Sequence, residues 1–116
     1  MSPGPSRVDL LRGTLDLLIL RTLTAGPRHG HAIGKHIQLT SEDILQVETG
    51  SLYPALHRLE NKGLLQAEWR GTETGREAKY YRLTARGKKH LKQETEDWQR
   101  VSGAVALILQ FGGGES

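Results

Sequence analysis

Apolar residues early in the chain recur at the 3.6-residue period of an α-helix. From Leu10 onward, Leu11, Leu15, Leu18, Ile19 and Leu23 fall on one side, the spacing of residues that meet on a helix face. Asp9 stands where an N-cap oxygen would accept from the first free amides, and Gly26-Pro27 ends the pattern. Leu10, Leu20 and Ala25 widen the stripe, which predicts burial on more than one side. A short second helix is predicted over 29–40, with Ala32, Ile33, Ile37 and Leu39 as its apolar positions. Ser41-Glu42-Asp43 interrupts it, and Ile44-Leu45-Gln46-Val47 is ambiguous, an extended segment being one reading. Leu52, Ala55, Leu56 and Leu59 mark a third helix, which Gly63 closes as a C′ residue. With Ser51 as its N-cap, Pro54 falls in the first turn, where the missing N–H was an orphan in any case.

After Gly63 the period drops from 3.6 to 2. Leu65-Gln66-Ala67-Glu68-Trp69-Arg70 and Ala78-Lys79-Tyr80-Tyr81-Arg82-Leu83 alternate as strands, with turn formers and charge from Gly71 to Glu77 between them. The pattern predicts a β-hairpin. Thr84 then caps a long final helix over 85–110, which stops at Gly112-Gly113-Gly114. Leu91, Trp98, Val101, Val105 and Ile108 repeat at steps of seven, three and four, a seam closer to a coiled coil than to a globular helix face.

These elements predict an α+β, mainly α fold: a winged helix-turn-helix with a long C-terminal dimerisation helix. The expected division is a flexible N-terminal arm at 1–8, the winged unit at 9–84, the dimerisation helix at 85–111 and a flexible tail at 112–116. A chain of 116 residues fits one domain. Without cysteine it has no disulfide, thiolate metal site or thiol nucleophile. No run approaches the roughly 18 apolar residues of a membrane span. The first residues lack the apolar core of a signal peptide, and a cytoplasmic location is the expectation.

Charge sharpens the picture. Residues 1–48 balance five basic against five acidic groups, while 49–92 carry ten basic against four acidic, a local +6. Residues 93–116 are net −3. A positive excess concentrated between the third helix and the start of the last one suits a polyanion, most often nucleic acid. The same excess on a solvated face would carry no function.

Gly50-Ser51-Leu52-Tyr53-Pro54-Ala55-Leu56-His57-Arg58-Leu59-Glu60, followed by Lys62-Gly63-Leu64, resembles the recognition-helix signature of PadR-type transcriptional regulators. Lys79-Tyr80-Tyr81-Arg82-Leu83-Thr84-Ala85-Arg86-Gly87 is similar to their second wing strand and final-helix start. The segments Leu15-Asp16-Leu17-Leu18-Ile19-Leu20 and His29-Gly30-His31-Ala32-Ile33 match less well, His31 and Ala32 departing from the usual Gly-Tyr-Glu-Ile. The resemblance spans about 10–109. It implies a homodimer, usually a repressor, on an inverted-repeat operator in double-stranded DNA, with the last helix meeting the N-terminal helix at the dimer contact. The short C-terminal region is similar to the single-helix subfamily.

Candidate DNA contacts are Ser51, Tyr53, Pro54, His57 and Arg58 on the third helix and Arg70, Arg76 and Lys79 on the wing. Tyr53 could instead be half-buried packing, and Arg58 could pair with a carboxylate. Lys88, Lys89 and Lys92 read as a solvated face, and Trp69 as packing on the sheet. Candidate dimer contacts are Leu11, Leu15, Leu91, Trp98, Val101, Val105 and Ile108. Trp98 is first a packing residue. The resemblance adds that some PadR-like regulators bind flat aromatic or cationic compounds near this helix, which makes Trp98 a ligand candidate. His29, His31 and His36 lack the spacing that converges on a metal. No phosphate loop or nucleophile motif is present. Neither a cofactor nor an enzymatic activity is expected. The alternative function is a winged-helix module that binds another protein.

Overall fold

The computed structural model describes the backbone of residues 12–115 and the side chains of 13–111. The expected arm at 1–8, the Asp9 cap, Leu10, the dimer candidate Leu11 and Ser116 lie outside the described residues. Helix α1 (Arg12–Thr22) passes into a 3₁₀ turn (Leu23–Ala25) that closes at Gly26, whose N–H donates to the Leu23 carbonyl. There follow strand β1 (Arg28–His29), helices α2 (Gly30–Thr40) and α3 (Thr49–Asn61), strands β2 (Leu65–Gly71) and β3 (Glu77–Leu83), and helix α4 (Ala85–Glu115).

Leu15, Ile19, Leu20 and Leu23 from α1 meet Ile33 and Ile37 from α2, and Leu52, Ala55, Leu56 and Leu59 from α3, in one buried cluster. The sheet adds Leu65, Tyr81 and Leu83, and α4 adds Leu91. Burying each such leucine or isoleucine stabilises the fold by about 1.5–3 kcal/mol. The α2–α3 turn is tight: Glu42 and Asp43 both take the left-handed conformation, at φ 55° and 66°. Side chains other than glycine enter that region at a cost. Here the Asp43 N–H donates to the Gln38 carbonyl at 2.9 Å, and the Leu45 N–H donates to Ser41 Oγ at 3.0 Å. Ile44–Val47 is not a strand; Leu45 and Val47 pack against the core while Ile44 is exposed.

Three features differ from the sequence expectation. The sheet has three strands in the order β1-β3-β2, because Arg28 and His29 pair with Tyr81 and Tyr80 on the free edge of β3. His29 also caps α2, its Nδ1 accepting from the Ala32 N–H at 3.2 Å. Second, α3 starts at Thr49, with Glu48 rather than Ser51 as its N-cap, and Pro54 lies inside the helix. The Glu48 carbonyl accepts from both Ser51 and Leu52, so the first turn is closed before the proline ring is reached. Third, α4 runs through Gly112, Gly113 and Gly114 to Glu115, where a tail was expected. Extending a formed helix adds a hydrogen bond per residue and needs no new nucleus, which offsets the poor propensity of glycine.

The join between the wing and α4 is close. Thr84 Oγ1 donates toward the Gly63 and Leu64 carbonyls and accepts from the Gly87 N–H. A Cβ on Gly87 would stand 2.2 Å from the Leu64 carbonyl oxygen and 2.8 Å from Leu83 Cδ1. Only glycine lets α4 lie this near the exit of α3.

Candidate nucleic-acid interface

Helix α3 is held by its apolar face, so the opposite face is set by periodicity alone. Leu52, Ala55, Leu56 and Leu59 point inward, Tyr53, Pro54 and His57 are exposed, and Ser51 is half-buried. The Thr49 and Gly50 amides have no protein acceptor among the described residues. Such free N–H groups at a helix start suit an anion. Tyr53 is 40% exposed, yet its ring is seated. A Cβ on Gly30 would be 2.8 Å from Tyr53 Cε1 and from its hydroxyl oxygen. Tyr53 therefore has both characters considered from sequence: one edge packs on α2 and the rest faces solvent. Beside it, His31, Lys35, Gln38 and Thr49 help line a polar groove of about 230 Å³. Of these, His31 and Lys35 were missed from sequence. Their signal was i, i+4 spacing on the side of α2 away from Ile33 and Ile37.

The candidate cations divide. Arg58 turns from the outward face: its Nη2 donates to Asp16 of α1 at 2.7 Å, with both side chains about one-third exposed or less. It ties α3 to α1, and the carboxylate partner is Asp16 rather than a neighbour in sequence. Lys79 donates to Glu60 at 3.1 Å and lies 5.5 Å from the centre of the Tyr81 ring. The Glu60 hydrogen bond holds the Lys79 ammonium above the ordinary lysine range, against the opposing effect of its burial. Burial pushes the Tyr81 phenol up, the Lys79 charge opposing. Arg70 pairs with Glu68 at 2.6 Å and stacks over Tyr80, 5.0 Å from the ring centre.

Arg76 is exposed at the hairpin tip, where Gly75 takes φ +83° and the Arg76 carbonyl accepts from the Thr72 N–H and hydroxyl. Among the described residues its guanidinium has no ion-pair partner within 4 Å. Trp69 is 65% exposed, where packing on the sheet was expected. Its alternation is right, on the same face as Leu65 and Ala67, but its register partner is Lys79 and the hairpin there extends past the core.

The dimer candidates divide as well. Leu15 and Leu91, expected between subunits, are 4% and 7% exposed in the core of the single chain. A residue already closed in by its own chain has no surface left for a partner. Trp98, Val101, Val105 and Ile108 are 44–70% exposed, and Leu107, Leu109 and Phe111 extend the apolar surface. Trp98 and Thr95 also border a cleft of about 370 Å³ against Thr14, Leu17, Leu18, Arg21 and Leu45. No helix among the described residues is long and apolar enough to cross a membrane.

The "Transcriptional regulator PadR-like family" model matches residues 19–93. Transcriptional regulator Rv3488 of Mycobacterium tuberculosis is 41% identical over 108 residues, which cover 93% of this chain and 92% of that protein. Uncharacterized protein X of Lysinibacillus sphaericus is 32% identical over 104 residues, 90% of this chain and 95% of its own length. Among solved structures, a transcriptional regulator from Clostridium thermocellum superposes with a TM-score of 0.77 at 33% identity, covering 84% of this chain and 94% of that one. A PadR-like transcriptional regulator from Bacillus cereus gives 0.75 at 26% identity, over 88% and 97%.

Proposed function

This chain belongs to the PadR-like family of transcriptional regulators, and on that footing as a DNA-binding regulator we propose that it acts as a homodimeric repressor of an inverted-repeat operator. In this reading α3 enters the major groove, with Ser51, Tyr53, Pro54 and His57 toward the bases and sugars. Arg76 and the free Thr49 and Gly50 amides meet phosphates. Arg70 and Lys79 contribute less, since Glu68 and Glu60 already neutralise their charged ends. The observation that carries the reading is the seating of α3: its apolar side is wholly used, and a polar side is left outward, with the exposed Arg76 on the wing that follows it. The exposed apolar end of α4 supports dimerisation, since a helix bearing Trp98, Val101, Val105 and Ile108 in water gains by covering them. A flat aromatic or cationic effector fits the apolar cleft at Trp98.

Selection from a random duplex library at moderate salt tests this. Wild type should enrich a two-fold-symmetric site with half-sites about 34–36 Å apart. Tyr53→Ala and His57→Ala should each weaken it about tenfold or more, the cost of one lost base contact. Arg58→Ala should lower the melting temperature and keep the same sequence preference, because its partner is Asp16. Failure of wild type to enrich any sequence would move the protein-binding module ahead.

A further inference from the structure

The charge excess over 49–92 is only partly used by α3 and the hairpin. Along α4, Arg86, Lys89, His90 and Gln93 follow i, i+3, i+4, i+7 and so share one face. That face looks onto Asn61 and Lys62 at the end of α3, and together they line a depression of about 580 Å³. No acidic side chain lines it. Among the described residues Lys62, Arg86 and Lys89 form no ion pair within 4 Å, and His90 approaches Glu94 at 3.4 Å. The other lysines of this helix start, Lys88 and Lys92, do not line the depression, so the cluster is more than a general basic surface.

We propose that this depression is a binding site for a small multivalent oxyanion of the phosphate type. Three permanent cations held together without carboxylates repel one another, and a ligand with several negative oxygens removes that repulsion on binding. Arg86 offers a planar fork and the lysines point charges, while the Asn61 and Gln93 amides add neutral donors. The volume is within the range of small-molecule sites. The attraction comes from the side chains that line the depression, and at the helix start Thr84 already accepts from the Gly87 amide. The same chemistry could come from the DNA backbone, but the position favours a free ligand. Leu64, on its wall, immediately precedes β2, and the seven residues of that strand carry the chain away toward the hairpin tip. At about 3.3 Å per residue the tip is some 20 Å further on. Asn61 and Lys62 are likewise at the opposite end of α3 from Ser51 and Tyr53.

The test is a titration of the full chain with inorganic tripolyphosphate, without DNA, at constant ionic strength near 0.15 M. Saturable binding at one site per chain is expected. Arg86→Gln/Lys89→Gln should weaken it at least tenfold, while Lys88→Gln/Lys92→Gln, with the same charge loss, binds as wild type. All four side chains are exposed, and circular dichroism checks that both variants are folded. Equal weakening by the two pairs would mean non-specific screening and overturn the site. Absence of saturable binding would also overturn it, and a reduced salt dependence of DNA binding in the Arg86/Lys89 pair would then assign these cations to the DNA backbone. Neither arm requires that the chain be a repressor or a dimer.

Discussion

A Cβ on Gly30 would fall 2.8 Å from the Tyr53 ring, inside any normal carbon contact, so Gly30→Ala must displace that ring. Alanine in place of glycine otherwise restricts the unfolded chain, which favours the fold by about 0.4–1 kcal/mol where the backbone can accept it. The two effects oppose each other in stability but not in function. Gly30→Ala should leave the melting temperature nearly unchanged while weakening operator binding about tenfold, the scale of a single lost contact. Fluorescence anisotropy on the selected operator checks this, and the double variant with Tyr53→Ala should be no weaker than Tyr53→Ala alone. Full additivity would mean that Gly30 acts through something other than the tyrosine.

The wing and α3 are joined by Lys79 to Glu60, over the ring of Tyr81. Both Lys79 and Tyr81 hold their protons more tightly in the folded chain than in the unfolded one. Their stabilisation is therefore complete below the ordinary values, about pH 10, and is lost as pH rises through the raised folded values. Thermal melts between pH 8 and 11.5 should fall on the alkaline side, and Lys79→Met with Tyr81→Phe should flatten that fall relative to wild type. This junction shows how far the sequence could be read. The alternation that put Leu65, Ala67, Tyr81 and Leu83 inward was legible, because period 2 is a property of the strand alone. That the same alternation leaves Trp69 in water was not, because it depends on where the core ends. Strand β1 was hidden for another reason: Arg28-His29 is too short to show a period and owes its conformation to the edge of β3. The outward face of α3 came through, since it is the complement of four buried apolar residues. The Arg58–Asp16 pair spans 42 positions, and no local pattern marks it.

At the scale of the whole molecule, the Cα radius of gyration of 16.5 Å and the longest extent of 60 Å exceed those of a rounded body. A compact chain of this length would have a radius of about 13 Å. The excess comes from α4, which leaves the core after Leu91 and carries its apolar residues outward. Val105→Asp with Ile108→Asp should convert the proposed dimer to monomer, or weaken it at least a hundredfold, by sedimentation equilibrium, with the monomer still folded. Leu91→Ala should behave differently, costing about 2–5 kcal/mol of fold stability as a core truncation. The contact at Gly87 gives this architecture a further property. Because α4 is pressed against the Leu64 carbonyl, the stretch from Gly87 to the apolar end serves as a ruler with fixed phase. Each residue inserted there would advance a partner held at the far end by about 1.5 Å and rotate it by about 100°. In the proposed dimer, single insertions would thus throw the two α3 helices out of step with the turns of DNA, while an insertion of near one helical turn, four residues, would nearly restore their facing.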